Sequence, residues 1–220
     1  MSISENIHQL KKEFSEQVTL IAVSKTKPVV DLKEAYEAGQ REFGENKIQE
    51  MAEKWAQLPK DIRWHMIGHV QTNKVKHMAE FVSLIHGVDS LKLLQEIDKQ
   101  AKKYRRVIDC LLQIKIAEED TKFGLSTTDA ANLLQSETFR SLQNIRVVGL
   151  MGMATFTEDE AQIKKEFSFL KSFFDSLKKL ETANFKPCIL SMGMSQDYAL
   201  AIASGSNMVR IGSKIFGERG

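Results

Sequence analysis

Short apolar segments alternate with amphipathic segments along most of the chain. The apolar segments are rich in β-branched residues, which is typical of strands, and the segments between them carry apolar residues at helical spacing. Segment 158–180 shows the spacing most clearly, because Ile163, Phe167, Leu170, Phe174 and Leu177 would share one face of a helix. The predicted strands are 19–23, 41–43, 63–67, 81–86, 107–116, 145–150, 186–190 and 208–211.

Several boundary signals define the predicted helices. An amphipathic helix over 3–14 precedes the first strand, and Gly39 follows a helix over 31–38, as a glycine often does at a helix end. The spacings Ser126-x-x-Asp129 and Thr157-x-x-Glu160 resemble capping boxes and mark helix starts.

The alternation of strands and helices predicts parallel strands joined by right-handed crossovers. Eight such units in 220 residues fit a compact (β/α)8 TIM barrel with an extra N-terminal helix, since such barrels can be as short as ~200 residues. With three prolines and no Ser/Gly-rich linker, we expect a single domain over 1–220. An open, doubly wound sheet is the competing topology, and the periodicity does not exclude it.

Composition excludes several classes of protein. The chain is 42% hydrophobic and 27% charged, as in ordinary globular domains, and its net charge of +2 gives no general attraction to nucleic acid or membranes. The N-terminus shows no secretory signal, and no apolar run is long enough to cross a bilayer. Cys110 and Cys188 lie in apolar runs and are predicted to be buried thiols. We therefore expect a cytoplasmic protein.

Two lysines follow the first predicted strand. In a barrel of this kind the active site forms on the loops after the strands, so Lys25 would lie at the mouth. A partly desolvated amine has a lowered pKa and can form a Schiff base with an aldehyde. Lys27 would add a second positive charge that favours this state or attracts phosphate. The alternative is that both are solvated loop lysines.

Small residues follow the last predicted strands and form a candidate phosphate site. Barrels commonly bind phosphate after strands seven and eight, where Ser191, Gly212 and Ser213 lie. Ordinary helix capping is the alternative for these turns. A lysine together with a phosphate cradle indicates pyridoxal 5′-phosphate. Arg210, inside an apolar strand, needs a partner, and either a cofactor ring nitrogen or an internal carboxylate could serve.

His65 and His69 have the spacing His-x-x-x-His, which would suit a metal on one helix face. Gly68 interrupts that helix, and the pair straddles the end of a predicted strand. We therefore predict no metal site. His65 is expected to line the barrel interior and His69 to lie at the mouth.

Several motifs, taken together, resemble those of the pyridoxal phosphate homeostasis proteins. The resemblance runs from about Thr19 to Arg219. It rests on Ala22-Val-Ser-Lys25-Thr-Lys27-Pro28, Arg41-Glu-Phe-Gly-Glu-Asn46, Trp64-His-Met-Ile-Gly-His69-Val-Gln71-Thr-Asn73-Lys74, Val88-Asp89-Ser90, Ser191-Met-Gly-Met-Ser195-Gln-Asp197 and Met208-Val-Arg210-Ile-Gly-Ser-Lys-Ile-Phe-Gly217.

This resemblance implies a fold and a set of site residues. The barrel would be similar to the N-terminal domain of alanine racemase. Lys25 would form the Schiff base, and Arg210 would face the pyridine nitrogen. The other implied cofactor-binding residues are Ser191, Gly212 and Ser213 at the phosphate, and Asn46, Lys27, His65 and Lys122 around the mouth.

The resemblance also implies a function in vitamin B6 and amino-acid homeostasis, for which no enzymatic turnover is established. We expect a cofactor carrier or regulator, a monomer or weak dimer, with pyridoxal-phosphate-dependent apo-enzymes as candidate recipients. The chain ends soon after its last strand, so we expect no second domain to bring in a catalytic tyrosine. Tyr36, Tyr104 and Tyr198 fall in predicted helices. The alternatives are a weak amino-acid racemase using Lys27 or His65 as the base, and a regulatory binder whose partner protein senses the cofactor.

Overall fold

The chain folds into a closed barrel of eight parallel strands in consecutive order. The computed structural model describes residues 2–119, 123–180 and 182–217. Residues Thr19–Leu20–Ile21–Ala22 pair with Met208–Val209–Arg210–Ile211 and close the barrel, which confirms the predicted TIM barrel and excludes the open sheet. The strands are β1 Thr19–Val23, β2 Glu42–Glu45, β3 Arg63–Met66, β4 Val82–Val88, β5 Ile108–Gln113, β6 Ile145–Met151, β7 Phe185–Ser191 and β8 Met208–Ile211.

Helices surround the barrel and connect its strands. The described helices are α1 Ile3–Glu13, α2 Val29–Glu37, α3 Ile48–Gln57, α4 Leu91–Lys103, α5 Thr127–Gln135, α6 Glu137–Arg140, α7 Glu160–Leu177, α8 Tyr198–Ala203 and α9 Ser213–Phe216, with 3-10 helices Thr72–His77 and Lys178–Leu180. The predicted extra helix is α1, which precedes β1 and packs against α2 and α9. None of the helices in these ranges is long and apolar enough to cross a bilayer.

Helix α7 confirms its predicted buried face but begins later than predicted. All five apolar residues assigned to that face are buried. The N-cap is Asp159, whose carboxylate accepts hydrogen bonds from the backbone N–H groups of Ala161 and Gln162. Thr157 instead accepts from the N–H of Asp159, so it stabilises the entry to the helix and is not its cap. The predicted cap at Ser126 is confirmed.

Residues along each strand alternate between two cores. One core fills the barrel interior and contains Ile21, Leu84, Leu111, Val148, Met151 and Met208. The other lies between the strands and the helices and includes the intervening residues Ala22, Phe43 and Ile85. This alternation decides which polar residues enter the barrel.

The two cysteines differ in their environments. Cys110 is buried, as predicted, but the prediction is wrong for Cys188, which is exposed. The first half of β7 exposes alternate residues, Lys186 and Cys188, so an apolar run in the sequence does not bury both of its faces.

Replacing Gly149 by alanine is expected to destabilise the barrel by about 3 kcal/mol or more, the upper range for overpacking a core. Gly149 lies where the register between β6 and β7 shifts, and a Cβ there would lie 1.8 Å from the carbonyl oxygen of Ile189. Gly39→Ala is the control, because Gly39 has φ +84° but no atom within 4 Å of the added Cβ. Urea unfolding should show a loss of only about 1–2 kcal/mol for that control. Equal losses for both variants would contradict the packing argument.

Candidate functional site

Lys25 lies just past the C-terminal end of β1 and is half-buried. Side chains along β1 alternate between the two cores, and Ile21 lies in the barrel interior. Lys25 is four residues further on, so the same alternation directs it toward the barrel axis at the mouth. Ser24 lies on the opposite side, where its hydroxyl donates to Glu45 Oε1 at 2.6 Å. The next strand around the barrel is β8, where Arg210 pairs with Ile21.

A buried ion pair lies beneath the turn that carries Lys25. The ammonium of Lys54 in α3 donates to the carbonyl oxygen of Ser24, to Glu45 Oε1 and to Glu50 Oε1, each at 2.7 Å. Glu45 is fully buried and Lys54 is 5% exposed. Burial raises the pKa of Glu45, although hydrogen bonds from Lys54 and Ser24 oppose that rise. Sequence analysis missed this pair because a lysine in an amphipathic helix is usually solvated.

The same network holds an unusual backbone conformation beside Lys25. Thr26 has φ +65°, in the left-handed region that β-branched residues rarely adopt. Its backbone N–H donates to Glu50 Oε1 at 2.6 Å. The carboxylate that binds Lys54 therefore also fixes the turn after Lys25.

Thr26→Gly is expected to be more stable than Thr26→Ala by about 1 kcal/mol, because glycine adopts a positive φ without the steric cost that alanine has. Both variants remove the hydroxyl and the branched side chain, so their difference isolates the backbone conformation. The free energy of unfolding in urea measures it. If the alanine variant were equally or more stable, the turn would not be under the backbone strain described here.

Arg210 is 4% exposed, and its side chain enters the barrel from β8. Nη1 donates to the carbonyl oxygen of Ser191 at 2.9 Å and to its hydroxyl at 2.7 Å, and Nη2 donates to the carbonyl oxygen of Gly152 at 3.1 Å. Burial lowers the pKa of Arg210 to about 10, although the charge of Asp197 opposes this. These three acceptors are uncharged oxygens, and the carboxylate whose charge acts on Arg210 is that of Asp197.

His65 is buried in the barrel interior, as its position in β3 predicts. Its Nε2 is 2.7 Å from Glu42 Oε2, at the first residue of β2, and its Nδ1 is 3.0 Å from His86 Nε2. His86 Nδ1 is in turn 3.2 Å from the hydroxyl of Ser191. Sequence analysis missed His86, although its position at the end of a predicted strand, in phase with interior Leu84, could have indicated it.

His69 lies on the rim of the mouth, as expected. Its Nδ1 is 3.3 Å from Asp89 Oδ2, and its ring stacks on Phe123 with the ring centres 4.3 Å apart. His65 and His69 therefore do not converge on a common point, and the described residues contain no cluster of potential metal ligands.

The turns after β7 and β8 meet at the mouth. The hydroxyl of Ser195 accepts a hydrogen bond from the N–H of Gly212 at 3.3 Å. A Cβ on Gly212 would lie 3.1 Å from the carbonyl oxygen of Val23, so this turn also adjoins the end of β1. Ser213 begins α9 and is exposed. Ser191, by contrast, is fully buried with its hydroxyl bound to Arg210.

The remaining predicted site residues lie in different places. Lys27 Nζ donates to the carbonyl oxygen of Phe216 at 3.0 Å and so links the β1 turn to the end of α9. Asn46 follows β2 and is half-buried. A Cβ on Gly68 would lie 2.5 Å from the carbonyl oxygen of Asn46, so the turns after β2 and β3 are in close contact. Lys122 lies outside the described residues.

Comparison with known proteins identifies the family. Residues 1–220 match the family described as alanine racemase, N-terminal domain. A protein of Pasteurella multocida named pyridoxal phosphate homeostasis protein is 37% identical, and the match spans 100% of this chain and 98% of that protein. This chain belongs to the pyridoxal phosphate homeostasis protein family. The member of this family from Escherichia coli K12 is 33% identical over 99% of this chain and 97% of its own length.

Solved structures in this family and beyond it share the fold. The structure of PipY from Synechococcus elongatus PCC7942 with PLP bound is 35% identical, with a TM-score of 0.89, and the match covers 98% of this chain and 100% of PipY. Alanine racemase from Streptomyces lavendulae is only 16% identical, with a TM-score of 0.82 over 99% of this chain and 57% of its own. The second comparison shows the fold alone and confirms the predicted likeness to the alanine racemase barrel domain.

Proposed function

We propose that this chain binds pyridoxal 5′-phosphate at the mouth of the barrel, with a Schiff base on Lys25, and acts in intracellular vitamin B6 and amino-acid homeostasis without catalysing a reaction. The observation that carries the proposal is the arrangement of β1 and β8. A half-buried lysine follows one strand on the axis side, and the neighbouring strand holds buried Arg210, whose guanidinium is bound by oxygens of Ser191 and Gly152. The names of the relatives and the PLP in PipY support it.

The described residues fit this cofactor in chemistry and position. Pyridoxal phosphate supplies an aldehyde, which is the group that an amine such as that of Lys25 captures. The N–H donors of Arg210 suit a ring nitrogen that accepts a hydrogen bond, and such a bond disfavours protonation of that nitrogen. Gly212 and Ser213 at the start of α9, with Ser195 beside them, suit the phosphate. We assign Ser191 to holding Arg210, and Asn46, Lys27 and Lys122 remain predictions for the mouth.

The placement of the candidate bases supports a role without turnover. His65 is buried inside the barrel and bound to Glu42 and His86, and Lys27 donates to the carbonyl oxygen of Phe216. The hydroxyl of Tyr198 donates to Glu13 at 2.7 Å and that of Tyr36 to Asp61. The racemase alternative predicts exchange of the α-proton of an amino acid in heavy water. We expect none across a broad panel of amino acids, and exchange above the rate of free pyridoxal phosphate would contradict the proposal.

The proposal extends to partners and location. We propose that pyridoxal-phosphate-dependent apo-enzymes receive the cofactor in the cytoplasm, and that the carrier works as a monomer or weak dimer. A regulatory binder would differ, because a partner protein would join or leave it when the cofactor binds. A pull-down that the cofactor does not change would argue against that alternative.

An absorbance titration tests the proposed function directly. Pyridoxal phosphate should produce a yellow band on the protein that borohydride removes, because reduction converts a Schiff base into a stable secondary amine. Pyridoxine 5′-phosphate is the control ligand, since it has the ring and the phosphate but no aldehyde. It should compete for the site without producing the band. If the absorbance spectrum of pyridoxal phosphate with the protein were the same as that of free pyridoxal phosphate, the proposed function would be wrong.

A further inference from the structure

A continuous chain of hydrogen bonds crosses the barrel interior from the mouth side to the opposite end. The polar chain consists of Arg210, Ser191, His86, His65 and Glu42, one residue from each of β8, β7, β4, β3 and β2. Its successive contacts are 2.7, 3.2, 3.0 and 2.7 Å long. Four of the five residues are less than 5% exposed, so water does not replace these contacts.

The two ends of the polar chain carry opposite charges. Burial alone would raise the pKa of Glu42, but hydrogen bonds from His65 and Arg63, together with the charge of Arg63, hold it below its usual value. Glu42 is therefore an ionised acceptor at the first residue of β2, where its side chain is 16% exposed. At the other end, the guanidinium of Arg210 can only donate. A cation inside the barrel is thus connected to an anion near its opposite end.

These ends determine how the protons between them are arranged. Glu42 accepts, so His65 carries its proton on Nε2 and, when neutral, accepts at Nδ1. His86 then donates from Nε2 and accepts at Nδ1 from the hydroxyl of Ser191, which itself accepts from Arg210. Burial, followed by the charge of Arg210, lowers the pKa of His86 well below its usual value, in agreement with a neutral ring. Every donor therefore points from Arg210 toward Glu42.

The opposite arrangement leaves a group unsatisfied. If His65 were charged and donated to His86, then His86 would donate to the hydroxyl of Ser191. That hydroxyl would accept from both His86 and Arg210, and its own proton would have no acceptor among the described residues. A buried hydroxyl without an acceptor costs about 1–3 kcal/mol, so the first arrangement is favoured.

We propose that Glu42, His65 and His86 are positioning residues for Arg210. Through Ser191 they fix the plane of the guanidinium, and so the direction in which its N–H groups are presented to a ligand. The identity of that ligand rests on the proposed function. The orientation of Arg210 is a property of the ligand-free protein, so it can be tested separately from the identity of the ligand.

Nuclear magnetic resonance of the ligand-free protein tests the polar chain directly. At neutral pH, long-range 1H–15N spectra should show His65 and His86 both neutral and both protonated on Nε2. The Nε–H signal of Arg210, assigned by its absence in Arg210→Lys, should shift in Glu42→Gln. A charged His65, or an Nδ1-protonated His86, would overturn the proposal.

Asp109→Asn is a matched control for Glu42→Gln. Asp109 is also a carboxylate early in a barrel strand and also pairs with an arginine, Arg146, at 2.8 Å, but it lies outside the polar chain. Its substitution should leave the Arg210 signal unchanged. If both substitutions, or neither, moved that signal, Glu42 would have no special link to Arg210 and the proposal would fail.

Cofactor affinity gives a second readout. Glu42→Gln should weaken pyridoxal phosphate binding by about tenfold, the lower end of what outer-shell substitutions cost at metal sites, whereas Asp109→Asn should not. Equal affinity in Glu42→Gln and wild type would overturn the role of the polar chain in ligand binding. Failure of the wild type to bind the cofactor would instead refute the proposed function, and the resonance experiment would still decide whether Glu42 positions Arg210.

Discussion

Replacing Lys25 by alanine is expected to abolish the borohydride-sensitive absorbance band of the protein with pyridoxal phosphate. No Schiff base can form at this position without the amine, whereas Arg210 and the turns after β7 and β8 remain to bind the cofactor noncovalently. The fold should survive, because the contacts that hold this turn through Ser24 and through the backbone N–H of Thr26 are unchanged. Absorbance and equilibrium dialysis on the same samples separate loss of the covalent link from loss of binding.

Lys27→Ala is the matched control for Lys25→Ala. It removes an amine from the same turn, but one that donates to the carbonyl oxygen of Phe216. We expect the band to remain, with weaker binding as the only change. A band that persisted in Lys25→Ala and disappeared in Lys27→Ala would show that Lys27 forms the Schiff base, and it would contradict our account.

Replacing Lys54 by methionine is expected to destabilise the protein by about 3–5 kcal/mol at neutral pH, as for other buried pairs that lose one partner. Methionine fills a similar volume but leaves the carboxylate of Glu45 buried without its cation. The same change removes the group that binds Glu50 and so loosens the turn beside Lys25. Urea unfolding of the two proteins measures the difference.

The stability lost in Lys54→Met is expected to depend on pH, through the carboxyl group of Glu45. The folded state raises the pKa of Glu45 above its usual value of 4.5, so this group favours folding when protonated and its contribution is lost as the pH rises through the folded pKa. Lys54 opposes that rise, so its removal raises the pKa of Glu45 further. The deficit of Lys54→Met should therefore be largest at neutral pH and shrink as the pH falls toward 4.5.

A second substitution serves as the control for Lys54→Met. Adding Glu45→Gln removes the unpaired charge and should recover part of the lost stability, in a cycle that measures the coupling of the two residues. A deficit that was independent of pH and not recovered by Glu45→Gln would show that Lys54 contributes packing and not charge compensation.

The barrel was predictable because its signals are local and repeated. Each strand has its own apolar run and each major helix its own periodicity, and the predicted first and last strands match β1 and β8 residue for residue. The ends of α7 were less predictable, because Asp159 and Thr157 both suit an N-cap and only the folded backbone selects between them.

The positions of the candidate-site residues were predictable only where they follow directly from the place of a residue in or just after a strand. Lys25 and Arg210 satisfy that condition. Lys54 does not, because its partner Glu45 comes from another element and their contact exists only once α3 packs on β2. The role of Ser191 was also hidden, since its hydroxyl meets Arg210 and His86 only when the barrel closes.

Borohydride reduction of the complex with pyridoxal phosphate, followed by mass spectrometry of its peptides, tests the central claim most directly. Reduction makes a Schiff base permanent, so the modified lysine can be identified in the sequence. We predict one modified peptide, carrying the reduced cofactor on Lys25, at a stoichiometry near one per chain. Modification spread over exposed lysines, or concentrated on a lysine other than Lys25, would contradict this account.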